Sequence, residues 1–375
     1  MDGIGTQAGM VGTRGGVVAL VLEIDTTKAG TASDSFQLST TSTALDDYKI
    51  DWGDGTTDDV VNAQAPLKTY DTSGLYTVII TGVLTQISFN NGGDKLKILS
   101  VSNTGVLIGS SLSGSFYGCS NNLVFAGQIA DGVTSFFLAW RDNNLTSWTV
   151  ALPTSLTDCS NAWRDNSLTS WTVDLPAGLT NCSYAWRDNN LTSWTVELPD
   201  SITNCSHAWN SNSLTSWTVD LPTSLTTCSY AWYGNDLTAW TVDLPTSLTS
   251  CAGAWQGNDL TAWTVDLPTS LTNCSYAWFA NDLTAWAAGL FDSWSATPAT
   301  NCFLESWGNN TGLTPTAVEN ILVSIAASGV EGPATGNEIT IDYDGAGLTA
   351  ATTTAIATLK GYVSPWSIKI NGVTQ

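Results

Sequence analysis

Positive charge is scarce in this chain. Eleven Lys and Arg stand against 33 Asp and Glu, which gives a net charge of -22 and a pI near 4.1. Nucleic-acid binding needs basic patches that track phosphates, so this balance excludes it as a partner class. Charge of either sign is thin, 12% of residues, and the surface must therefore be wetted mainly by Thr, Ser and Asn. His207 is the only histidine, which leaves no histidine-based zinc cluster, and a Ser-His-Asp triad has no motif around any serine. No stretch is long and apolar enough to cross a bilayer. Residues 1 to 20 lack the basic start and apolar centre of a secretory signal, so export by the general secretory route is not expected. Without paired acids in a cleft, a nucleotide loop or a metal motif, the expectation is a protein that is not an enzyme and holds no cofactor or metal.

What the chain does have is repetition. Ala185 to Pro199 reads Ala-Trp-Arg-Asp-Asn-Asn-Leu-Thr-Ser-Trp-Thr-Val-Glu-Leu-Pro, and close copies run from residue 139 to 286. The leucine returns at Leu145, Leu168, Leu191, Leu214, Leu237, Leu260 and Leu283, always 23 residues on. A fixed period of this size means stacked coils, each burying its apolar side against the next. In the phrase Leu191-x-x-Trp194-x-Val196 the three apolar residues are expected to point inward along a short strand, with Thr192, Ser193 and Thr195 outward on a parallel ladder. Equivalent residues then form columns about 4.8 Å apart.

Each column invites a reading. Trp148, Trp171, Trp194, Trp217, Trp240, Trp263 and Trp286 are expected in the core, where aromatics supply area. The second tryptophan row, Trp140 to Trp278, opens each following coil, and burial is preferred there over a sugar-stacking platform. Asn143, Asn166, Asn189, Asn212, Asn235, Asn258 and Asn281 are expected to bond to turn backbone and to one another. Cys159, Cys182, Cys205, Cys228, Cys251 and Cys274 form a stacked column within geometric reach of bridging, with small buried thiols the plainer alternative. Two threonine rows are the candidate exposed binding face: Thr146, Thr169, Thr192, Thr215, Thr238 and Thr261, and Thr149, Thr172, Thr195, Thr218, Thr241 and Thr264. Asp174, Glu197, Asp220, Asp243 and Asp266 pile like charges where the strand ends, and Asp236, Asp259 and Asp282 where it begins. Solvated edges that discourage aggregation are the default for these acids, with divalent-cation binding a minority alternative. Arg141, Arg164 and Arg187 each precede an aspartate and read as a local ion-pair network worth little individually.

The flanks read differently. Residues 1 to 20 are glycine-rich, an anchoring arm ordered only if something holds it. Residues 21 to 83 are strand and turn, with Asp54-Gly55 as a hairpin turn. Here Trp52-Gly-Asp-Gly55, Tyr70, Gly74, Tyr76 and Val78 resemble a PKD (polycystic kidney disease) domain, which implies a small β-sandwich used as a spacer or binding module. Asp51, Asp54, Asp58 and Asp59 do not have calcium-loop spacing and are expected to form turns. Residues 84 to 138 read as an N-terminal cap with irregular repeats, and 139 to 312 as the regular stack. In 313 to 375, Thr314-Pro315 starts a helix that Gly329 stops, with Val318, Ile321, Leu322 and Ile325 on one face. A strand from Glu338, a helix over Ala350 to Lys360 and a strand over Trp366 to Ile370 follow, an α/β cap.

The repeats resemble BspA-like leucine-rich repeats, departing from them in the use of Trp and Cys. The expected fold is therefore mainly β: a leucine-rich-repeat solenoid of 23-residue coils with a parallel β ladder, an N-terminal PKD-like β-sandwich and a C-terminal α/β cap. The combination of the Trp-Gly-Asp-Gly domain, the linker Asn90 to Leu96 and the Leu-Thr-Pro-Thr-Ala-Val segment resembles proteins of tailed, especially marine, bacteriophages. That resemblance implies a virion surface protein, a head fibre, decoration protein or tail adhesin. It would contact other virion proteins through its arm and a host-surface glycan or protein through its body, and could form a homo-oligomer. A bacterial cell-surface adhesin is the alternative, and an ice- or crystalline-glycan-binding protein a remote third.

Overall fold

The structure is a computed structural model that describes residues 19–40, 46–61, 65–103, 109–121 and 123–375. The expected anchoring arm, except for its last two residues, lies outside the described residues. The chain is mostly β with few helices, and buried apolar residues run as one cluster from Leu20 to Ile370.

The first part is a six-stranded sheet. β1 (Ala19–Asp25) lies between β6 (Leu75–Val83) and β7 (Ile98–Asn103), with β3 (Asp47–Asp51) and β4 (Thr57–Val61) beyond β6 and β8 (Val124–Phe125) beyond β7. β1 alternates half-buried and buried residues, as a strand with one core face must. β2 (Ser35–Gln37) and β5 (Leu67–Thr69) form a separate antiparallel pair. Tyr70, just after β5, stacks on Tyr76 of β6 at 3.8 Å and donates to the Trp52 carbonyl, so this pair is pinned to the main sheet. The hairpin between β3 and β4 turns at Gly53 and Gly55, both at positive φ. A side chain at Gly53 would meet the Thr77 carbonyl at 2.5 Å. Asp51 and Asp54 accept from backbone N–H groups within this turn, and Asp54 also pairs with Lys68 at 2.7 Å.

One difference from the sequence reading is that the sheet does not end at residue 83. β7 and β8 belong to the segment assigned to the irregular cap, yet they complete the same sheet, and β8 pairs with β7 in parallel as a coil would. The join is locked by Asp94 and Lys97, both fully buried and 3.3 Å apart. Asp94 accepts from Thr31 N–H and Gln37 N–H, and Lys97 donates to the carbonyls of Ala32 and Ser35. A buried pair tolerates its desolvation only when its remaining valences are met in this way.

The coils follow in strict register. Isolated parallel bridges link Ser111 to Ser135 and then pass through Asp158, Asn181, Asn204, Thr227, Ser250 and Asn273. The ladder therefore runs along the residue before each cysteine. It does not run through Leu-Thr-Ser-Trp-Thr-Val, where strand pairing occurs only at β9 (Ala262–Trp263) against β10 (Ala285–Trp286). From the bridge wall, Cys182, Tyr184, Trp186 and Asp188 donate their N–H groups to the carbonyls of Asn204, Ser206, Ala208 and Asn210 in the next coil. Ala185 and Arg187 bond back within their own coil, so alternate amides tie coil to coil. That path requires left-handed backbone twice per coil, at Tyr184 (φ 60) and Asp188 (φ 54), and the sequence places Gly253, Gly234 and Gly257 at the equivalent positions.

At the end, α1 (Pro315–Ser328) is N-capped by Thr314 and stopped by Gly329 in the left-handed region. Val318, Ile321, Leu322 and Ile325 are fully buried. β11 (Glu338–Ile341), α2 (Ala350–Lys360) and β12 (Ser367–Ile370) make a parallel crossover, and β13 (Val373–Thr374), absent from the sequence reading, adds an antiparallel edge. A parallel bridge from Trp307 to Ile341 joins β11 to the last coil at the tryptophan position, not at the residue before cysteine.

Candidate functional site: the threonine face

All twelve threonines of the two rows are exposed, from Thr146 and Thr149 to Thr261 and Thr264. Their exposure follows from their partners in the phrase. Trp148, Trp171, Trp194, Trp217, Trp240, Trp263 and Trp286 are at most 4% exposed and the adjacent Leu145 to Leu283 at most 5%, which forces the intervening Thr and Ser outward. The indole N–H of each tryptophan from Trp148 to Trp263, as described at Trp194, donates to the carbonyl two residues on, at 2.8 Å for Val196. This bond occupies an acceptor that a strand ladder would have used.

Successive rings of the Trp148 row, where they stack, lie 6.1–6.5 Å apart, and those of the Trp140 to Trp278 row 5.7–5.9 Å. Ring spacing alone does not open the face, since β9 and β10 pair although the rings of Trp263 and Trp286 are 6.1 Å apart. The uniform 4.8 Å expected from sequence is not kept. Among the described residues, the N–H groups of Thr195, Val196, Glu197 and Leu198 bond to no neighbouring coil. The face is therefore hydroxyls and open backbone over a dense aromatic floor, in which rings of the two rows meet edge to face at 4.6 Å. The Trp163 row is wholly buried, which removes a sugar platform from that position.

Charge borders the face on both sides. Asp174, Glu197, Asp220, Asp243 and Asp266 are exposed at one edge, and Asp236, Asp259 and Asp282 at the other. Among the described residues no cluster of three or more His, Cys, Asp or Glu could hold a metal, and no helix is long and apolar enough to cross a membrane.

Behind the face, the asparagines join the coils. Asn212 is 8% exposed; its amide donates to the carbonyls of Trp186 and Trp209 at 2.9 and 3.1 Å, and its oxygen accepts from Leu191 N–H at 3.0 Å. Asn166, Asn189, Asn235, Asn258 and Asn281 repeat this pattern. Asn143, at the start of the row, is buried and its N–H donates to Asn166. The amides bond to backbone and not to one another, because two tryptophan carbonyls and a leucine N–H already use their capacity. Cys159, Cys182, Cys205, Cys228, Cys251 and Cys274 are buried free thiols, as are Cys119 and Cys302. Burial pushes the Cys182 thiol up to about 12 and that of Cys159 well above its ordinary range.

The arginines form one network: Arg141 reaches Asp165 of the next coil at 2.9 Å, Arg164 contacts both Asp165 and Asp188, and Arg187 pairs with Asp188 of its own coil at 3.0 Å. Beside it, His207 is stacked between Tyr184 and Tyr230 at 4.4 and 4.8 Å. A third threonine row, including Thr157, Thr180 and Thr226, donates its hydroxyls to carbonyls of the preceding coil. This third row went unread in the sequence; its signal was the 23-residue spacing itself, applied to the residues around cysteine.

No family model matches the chain, and no curated protein does. Among solved structures, it is similar to a leucine-rich repeat protein from Bacteroides ovatus ATCC 8483, with a TM-score of 0.43 and 15% identity over 80% of this chain and 70% of that one.

Proposed function

We propose that this protein is a non-enzymatic attachment scaffold, a rigid repeat body that holds a flat polar face against a surface, and that it serves on the virion of a tailed bacteriophage as a head fibre, decoration protein or tail adhesin. The observation that carries the scaffold reading is the register: twelve exposed threonines in two rows stand on a floor of buried tryptophans. Such a floor fixes every hydroxyl before contact, which lowers the entropy lost on binding. The acids along both edges favour neutral polar or cationic partners, such as a host-surface glycan or protein, and repel anionic ones. The virion assignment rests on the sequence resemblance, with the glycine-rich arm as the link to other virion proteins.

The test has two parts. Antibody against residues 46–61 should decorate particles purified from the producing culture; bare particles carrying no peptide of this chain would reject the virion assignment. Thr192→Lys combined with Thr215→Lys should abolish binding of the purified protein to host cells while leaving its circular dichroism unchanged. Undiminished binding would remove the threonine face from the account.

A further inference from the structure

We propose that the two tryptophan rows conduct oxidising equivalents: an electron hole placed on one indole travels along the stack and does not remain where it was made. Three observations carry this. The rings are continuous, since partners within a coil meet at 4.6 Å, partners in successive coils at 5.1 Å and like rings at 5.7 Å. The path runs beyond the regular coils, through Trp278 to Trp307 at 5.6 Å. The third observation is the fate of the proton. Among the described residues, the indole N–H groups of the row from Trp140 to Trp278 have no hydrogen-bond partner although their rings are fully buried. A repeated unsatisfied donor in a core is unusual and calls for a physical account.

The chemistry follows from that isolation. A one-electron oxidant, such as a photoexcited dye or a radical, removes an electron from an indole π system, and no bond breaks. An indole beside a base would lose its N–H proton and trap the radical there. Trp52 is such a case, since its N–H donates to the Asp58 carboxylate at 2.8 Å. In the stack there is no base, and the carbonyls that face the Trp148 row cannot take a proton at ordinary acidity. The product stays a radical cation, which a neighbouring indole reduces by giving one electron, so the charge advances one ring with no proton moving. It ends at a ring with residual exposure, such as Trp148 at 4%, where the N–H proton passes to water and the neutral radical adds dioxygen.

The experiment uses the full chain. Because every native cysteine is buried, Ser216→Cys offers the accessible thiol to which a photo-oxidising dye is attached, next to Trp217. After illumination in air-saturated buffer, peptide mapping locates the oxygenated tryptophans. Most of the product is expected far from the label, at the ends of the tryptophan path, Trp148 on one side and Trp286 on the other. Trp232→Phe alone leaves the detour from Trp217 to Trp240 at 6.4 Å and should keep product beyond it. Trp232→Phe with Trp240→Phe opens a gap of a whole coil, and product on its far side should be lost; near-ultraviolet circular dichroism verifies that the stack persists. Product confined to Trp217 and its immediate neighbours in the parent, or an unchanged distribution in the double variant, overturns the proposal.

Discussion

Replacing Asn212 should damage the stack far more than its size suggests. Its side chain meets three buried backbone groups, the carbonyls of Trp186 and Trp209 and the N–H of Leu191, and these belong to two successive coils. A hydrogen bond is worth about 1 kcal/mol net, but a buried group left without a partner costs ~1–3 kcal/mol. Asn212→Ala strands all three, for a loss of roughly 3–6 kcal/mol once some relaxation is allowed. Asn212→Asp keeps the Leu191 bond yet sets a carboxylate against two carbonyls, and it should be at least as destabilising above the carboxyl pKa. Urea unfolding followed by tryptophan fluorescence reads both, with exposed Asn190→Ala as a control expected within about 0.5 kcal/mol of the parent. If Asn212→Ala costs less than about 1 kcal/mol, the asparagine row does not join the coils and the reasoning fails.

Asp94→Ala should cost about 3–5 kcal/mol, because it leaves the Lys97 ammonium buried without its counter-charge; a loss below 1 kcal/mol in the same assay would show that the two carbonyls alone suffice. The eight thiols should resist a thiol-specific chromogenic reagent in the native protein and all react on unfolding, since all eight are buried away from it; rapid native reaction would contradict this. His207 is held down to about 4 by burial and by Arg187 and Arg164. The unfolded chain therefore takes up a proton first as pH falls, so stability drops between about 6.5 and 4 and this group adds nothing further below. For a half-exposed ring the loss is about 1–2 kcal/mol after solvent screening, and His207→Tyr should remove that part of the pH dependence, whereas an unchanged profile would locate it elsewhere.

The repeat length, the buried leucines and tryptophans, and the helix from Pro315 were legible because period and capping chemistry are local. The placement of the ladder was not. Leu-Thr-Ser-Trp-Thr-Val has strong strand propensity, yet the N–H groups of Thr195 to Leu198 bond to no neighbouring coil and the Trp194 indole takes the Val196 carbonyl. Propensity does not see such packing. The bonding wall takes positive φ at Tyr184 and Asp188, and the glycines at 234, 253 and 257, with the Asp, Asn and His at equivalent positions, were the hint of its backbone. The first sheet was cut at residue 83 because composition changes there, while β7 pairs back onto β1 from outside the expected unit. For the candidate face, the threonines were found from spacing alone, whereas their open backbone required the hydrogen-bond pattern.

Amide hydrogen exchange across one coil tests the central claim most directly, that the coils are tied along the cysteine wall and left open along the threonine face. The amides of Cys182, Tyr184, Trp186 and Asp188 should exchange slowly, and those of Thr195 and Glu197 within the same coil fast. Slow exchange at Thr195 and Glu197 with rapid exchange at Cys182 and Tyr184 would place the ladder on the opposite wall and contradict the account.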